Sequence, residues 1–210
     1  QATQWFVAAA GSFGLILVGV LSSVASDADT LHIAGVASGF NAAITILGDS
    51  SDAVVFDSRT TSLGAGVLNV TAGSVEFGAV VSTTSSATIT ATSGAISTTV
   101  GATAGLVANS ANLFAATGIS LDTTVASLTA SVSQTGAIDI RETDAVTLAS
   151  IIAADGSIAI TAGGTITATS VVSTTDDDAN DITLTATGAT SDLVIGVIVG
   201  VFGQIGDLIE

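Results

Sequence analysis

Residues 138–168 read IDIRETDAVTLASIIAADGSIAITAGGTITA. Their apolar residues come in pairs, spaced by two or nearly so. The first set is Ile138/Ile140, Val146/Leu148 and Ile151/Ile152, closed by a turn at Asp155-Gly156. The second is Ile158/Ile160, Ile166/Ala168 and Val171/Val172, closed by the acidic stretch 176–181. Alternate residues of a strand share one face, so each pair reads as a short strand with one apolar side. Three short strands that turn back to an equivalent start describe one coil of a parallel β-helix. A single coil cannot bury its inner face, but coils stacked about 4.8 Å apart supply each other's backbone hydrogen bonds and continue the apolar columns.

Outward from this stretch the same phrase returns: an apolar residue, a spacer, an apolar residue, then Thr-Ala and a glycine turn. Copies begin near residues 44, 68, 88, 113, 138, 158, 182 and, truncated, 208. Their spacing of roughly 20–26 residues lies in the range of solenoid repeats. The expected fold is therefore all-β, a parallel β-helix (β-solenoid) with three short strands per coil and a length on the order of 40 Å. Like positions in successive coils stack, which predicts an outward hydroxyl ladder of Thr71, Thr90, Thr161 and Thr185. It also predicts that acids avoid such ladders and gather in turns, at Asp49, Asp52, Asp122, Asp155, Asp176, Asp177, Asp178 and Asp192, since stacked like charges repel.

Composition agrees. The 210 residues include 31 Thr and 23 Gly, with no Pro, Cys, Met, Tyr or Lys, and the mean hydropathy is +0.79. β-Branched Thr, Val and Ile favour strands, and the chain is too apolar for disorder. Two Arg against 18 acids give a formal charge of −16. That balance leaves nothing to neutralise phosphates and excludes nucleic acid as a partner. The absence of Cys excludes disulfides, thiolate metal sites and Cys nucleophiles.

The phrases Gly118-Ile-Ser-Leu-Asp122, Gly136-Ala-Ile-Asp-Ile140 and Gly163-Gly-Thr-Ile-Thr-Ala168 resemble the repeat rungs of filamentous-haemagglutinin-like bacterial adhesins. The resemblance spans roughly residues 30–190, and its low-complexity motifs are specific for architecture rather than for one family. It implies a right-handed β-helix, secretion, and a non-enzymatic structural role in cell adhesion as a rigid extracellular stalk at the cell surface. A cell-surface or carbohydrate receptor is the partner it implies.

Three segments follow: an apolar N-terminal segment 1–30, β-solenoid repeats 31–192 and an apolar terminal coil 193–210. Residues 1–26 carry no charge and read as strands of the first coils. Read instead as a hydrophobic helix, they describe a polymerising pilin-like filament subunit, and only then a membrane partner. Neither end reads as the polar cap that solenoid termini ordinarily need. This predicts a segment of a longer solenoid, or ends that associate through their apolar surfaces into a fibre.

Candidate chemistry is sparse. Asp176, Asp177, Asp178 and Asp181 are the metal candidates, as carboxylates for weak Ca²⁺ binding. The EF-hand register fails, because position six is Asp181 and position twelve is Thr187; the expectation is a solvated turn with no cofactor. His32 stands near Asp27 and Asp29 without a nucleophile motif. Asp139, Arg141, Glu142 and Asp144 form the densest charged group of the repeats. Paired carboxylates can hydrolyse glycosides, but a local ion pair of Arg141 is the expectation here. Asn69-Val-Thr71 matches a glycosylation acceptor. The Thr-x-Thr phrases at 88–92, 165–169 and 183–187 raise an ice-binding threonine array as a rival reading.

Overall fold

The computed structural model describes residues 3–8, 15–18, 28–36, 41–57, 59–99, 105–175 and 177–200. Every strand pairing is parallel, and no helix forms among the described residues. Three faces wind about one core. Face one stacks β2 (Leu15–Val18), β4 (Ile44–Leu47), β7 (Leu68–Ala72), β10 (Ser86–Ala91) and the second half of β12 (Gly105–Ala115). It continues through the later parts of β13 (Ile119–Thr135), β15 (Val146–Asp155), β17 (Ile166–Ser173) and β19 (Leu193–Gly200). Face two stacks β1 (Thr3–Ala8), β3 (Thr30–Val36), β5 (Ala53–Phe56), β8 (Ser74–Phe77) and β11 (Ile96–Thr98). The start of β13, then β14 (Ile138–Glu142), β16 (Ile158–Ala162) and β18 (Ile182–Ala186), complete it. Face three runs from β6 (Thr61–Ser62) and β9 (Val80–Ser82) to the first parts of β12, β15, β17 and β19, with the middle of β13 between.

The inner positions make continuous apolar columns. On face two, Leu31, Val54, Val75, Ile96, Ile119, Ile138, Ile158 and Ile182 are successive partners and all are buried. Burying each such side chain contributes roughly 1.5–3 kcal/mol, and a one-residue slip of any rung would turn its apolar set outward. Beside this column the Phe56 and Phe77 rings stack at 5.2 Å between centroids.

Coil length varies more than the phrase suggested. On face one Leu15, Ile44, Leu68, Ala87, Ala111, Leu128, Leu148, Ala168 and Ile195 are successive partners, so one turn takes as few as 17 positions (111 to 128) and as many as 29 (15 to 44). The short turn is β13, which bends through all three faces as one strand.

This overturns the single threonine ladder. Thr71 pairs with Thr90 on face one, whereas Thr161 pairs with Thr185 on face two. The phrases beginning at 44, 68, 88 and 113 lie on one face and those at 138, 158 and 182 on another. The Thr-x-Thr phrases divide likewise among faces, so they form no common array. Asp122 departs from expectation too: it lies within β13, not in a turn.

Turns close where backbones touch. A Cβ on Gly136 would overlap the Thr117 carbonyl of the coil before. Gly64 has φ 56°, the left-handed region that other residues enter at a cost. At the N-terminal side, Thr3–Ala8 and Leu15–Val18 are strands paired with β3 and β4 rather than parts of a helix. Among the described residues no helix is long and apolar enough to cross a membrane.

Candidate functional site

The charged group of the repeats is built by strand alternation in β14. Ile138 and Ile140 point inward, so Asp139 and Arg141 point outward and Glu142 must again point inward. Arg141 is the direct partner of Asp122 on the preceding coil. Its Nε donates to Asp122 Oδ1 at 2.6 Å, and its Nη1 lies 3.4 Å from Asp139 Oδ2. The expected local ion pair is present, and it explains how Asp122 is tolerated in a stacked strand: the position above it carries the opposite charge. All three side chains are about half exposed, so the pairs add little stability.

Glu142 is buried, at 5% exposure. Here β13 rounds the corner as unbroken strand through Thr123, Thr124 and Val125, while the next coil leaves the ladder after Glu142. The carboxylate fills the gap. It accepts from Thr123 Oγ1 at 2.7 Å, from Val125 N at 3.1 Å and from Thr143 N at 2.9 Å. Burial pushes its pKa above the ordinary 4.5; the Thr123 hydroxyl and the amides of Val125, Asp144 and Thr143 oppose that rise without cancelling it. The cluster is therefore split by the backbone, with Glu142 inside and Asp144 exposed. Alternation alone carried the signal for Glu142, since it continues the phase of Ile138 and Ile140.

Above this corner, face three carries a shallow groove. A depression of about 370 Å³ is lined by Thr83, Thr84, Val107, Asn109, Thr124 and Asp144, among others. A second, of about 200 Å³, shares Val107 and Thr124 and reaches Asp122 and Thr143. The groove offers hydroxyl, amide and carboxylate groups, which suit a polyhydroxylated ligand. Thr124 Oγ1 donates to Thr143 Oγ1 at 2.9 Å across the coils.

In the acidic turn Asp176 lies outside the described residues, and Asp177, Asp178 and Asp181 are exposed. Asp177 Oδ1 accepts the Ala179 N–H at 2.9 Å, a bond within its own turn. Asn180 reaches back to Asp155 Oδ1 at 3.0 Å, and Thr135 holds Asp155 Oδ2 at 2.8 Å. These bonds, Asn180 first, draw the Asp155 pKa below its usual value. Among the described residues no group of three or more His, Asp or Glu is placed to hold a metal ion. His32 Nδ1 lies 3.2 Å from Asp57 Oδ2; of the two acids expected near it, Asp27 is outside the described residues. Asp29 is buried, and its N–H donates to Asp52 at 3.3 Å. Asn69 is a mid-strand residue of β7. No family model matches the chain, and no curated protein or solved structure matches it.

Proposed function

We propose that the chain is a non-enzymatic extracellular structural module, the rigid β-helical stalk of a surface adhesin or filament. The observation that carries this reading is the parallel ladder, which runs from β2 to β19 on face one and from β1 to β18 on face two. Force along the axis is shared by three columns of backbone hydrogen bonds over one closed core, which makes a stiff spacer. The acidic surface keeps such rods dispersed. The face-three groove is where a carbohydrate receptor of an adhesin would be met.

In the filament form of the reading, copies join end to end and the ladders of one copy run on into the next.

Antibody against the folded module, applied to cells of the source organism, tests the location. Labelling of intact cells supports the proposal, and labelling only after permeabilisation ends it. Small-angle scattering of the isolated chain tests the rod. A length near 40 Å that grows with concentration at constant cross-section is the expected result for end-to-end joining.

A further inference from the structure

Lysine is absent, so Arg59 and Arg141 are the only basic side chains besides His32 in 210 residues. Their backbones are held very differently. Arg141 lies in β14 with a register partner on each side, Asp122 and Thr161, and its guanidinium is paired with two carboxylates. Arg59 and Thr60 are exposed at the corner between β5 and β6, and neither has a register partner among the described residues. The Arg59 N–H donates to the Asp57 carbonyl at 2.8 Å, a bond within the corner rather than to another coil. The strand that follows is the shortest of those described: β6 is Thr61 and Ser62 alone. Thr61 is fully buried, and among the described residues its Oγ1 is the one buried side-chain polar atom with no hydrogen-bond partner. A buried hydroxyl in that state favours any local opening that gives it water. Release of β6 is such an opening, and it gives up only the rung positions of Thr61 and Ser62.

We propose that the Arg59–Thr60 bond is a processing site for a basic-specific endoprotease, reached by local release of β6, and that the cut leaves the rod assembled. Charge selects the partner. A trypsin-class specificity pocket seats one cationic side chain on a buried acid. This chain offers it two, and one of them is locked in a ladder on both sides. Nicking falls where the backbone is exposed and lightly bonded, which is the state of Arg59 and Thr60. Hydrolysis breaks the bond between the Arg59 carbonyl carbon and the Thr60 nitrogen. Water gives its hydroxyl to that carbon and its remaining hydrogen to that nitrogen. The ladder outlasts the cut, because its pairings cross it. β4 stays on β7 and β5 stays on β8, with the Phe56 ring stacked on Phe77. Each of these pairs joins a residue before Arg59 to one after Thr60. The first coils thus stay seated on the rod as a separate chain.

Trypsin digestion of the folded chain tests it. Denaturing gels and mass spectrometry should show two fragments, residues 1–59 and 60–210, with the Arg141–Glu142 bond intact. Without denaturant the nicked protein should keep the scattering mass of the uncut chain. Arg59→Gln should remove the cut. Thr61→Val keeps the shape of the side chain and removes the hydroxyl that lacks a partner. It should slow the cut roughly tenfold, since cleavage follows the population of the open form. Cutting at Arg141 as fast as at Arg59, no cut at Arg59, fragments that part without denaturant, or an unchanged rate in Thr61→Val would each overturn the proposal.

Discussion

The Glu142 carboxylate takes the Val125 N–H at 3.1 Å, at a corner that one coil rounds as unbroken strand and where the next leaves the ladder. A side chain here completes a ladder that the backbone leaves open. Removing it strips Val125 N–H and the Thr123 hydroxyl of their acceptor. Glu142→Ala should cost roughly 1–3 kcal/mol, the penalty of an unsatisfied buried donor. Glu142→Gln keeps an acceptor and should cost less; urea denaturation of both variants checks the order.

The same carboxyl sets a pH dependence. Its folded pKa lies above 4.5, so the folded state holds the proton longer than the unfolded chain. Stability from this group is full below the unfolded value and is lost as pH rises through the folded value. Asp155 has the opposite sign: its depressed pKa contributes stability above about 3.8, lost as pH falls. Glu142→Gln should flatten the decline on the upper side of 4.5. Asn180→Ala should move the Asp155 titration back toward the ordinary carboxylate range, as followed by carboxyl NMR. An unchanged Asp155 titration would show that Asn180 does not hold it.

Arg141 is a spacer between acids rather than a strut. Arg141→Ala should change stability by less than ~1 kcal/mol. Arg141→Asp places a carboxylate directly over Asp122 and two residues from Asp139. It should destabilise further by up to ~1 kcal/mol, and added salt should recover that loss but not the small one. Thermal melts at low and high ionic strength separate the two variants.

Gly136→Ala should be among the costliest small substitutions. Its Cβ would overlap the Thr117 carbonyl of the neighbouring coil, and backbone cannot rotate away as a side chain can. A loss of about 2–3 kcal/mol is expected. At Gly94 the nearest atoms stand at 3.1 Å, and Ala there should cost clearly less. Equal melting temperatures for the two variants would contradict the close-approach account.

Coil architecture was legible because inward residues must alternate within each short strand, as Ile138 and Ile140 or Ile158 and Ile160 do. What escaped was which face each strand occupies. An apolar-x-apolar phrase followed by a turn suits any of the three faces, so Leu113 and Ile138, 25 positions apart, passed for one period. They are one short coil plus part of another, because β13 rounds its corners without a glycine to mark them. Arg141 and its acids could be read from proximity in sequence. The burial of Glu142 was implicit in alternation, but its purpose was not, since nothing near residue 142 announces that Val125 of the coil before needs an acceptor.

Turns of 17 to 29 positions lie on one another without disturbing the inner columns. Corners absorb the difference, and the strands never register it. Losing a stretch such as 138–157 would bring Ile119 against Ile158 instead of Ile138, and copying it would bring Ile138 against its own duplicate, each time an identical residue in an identical place. The length of the solenoid can thus be adjusted in steps of one turn, about 4.8 Å each, by ordinary duplication or deletion, and each new length begins with a face-two column that already fits.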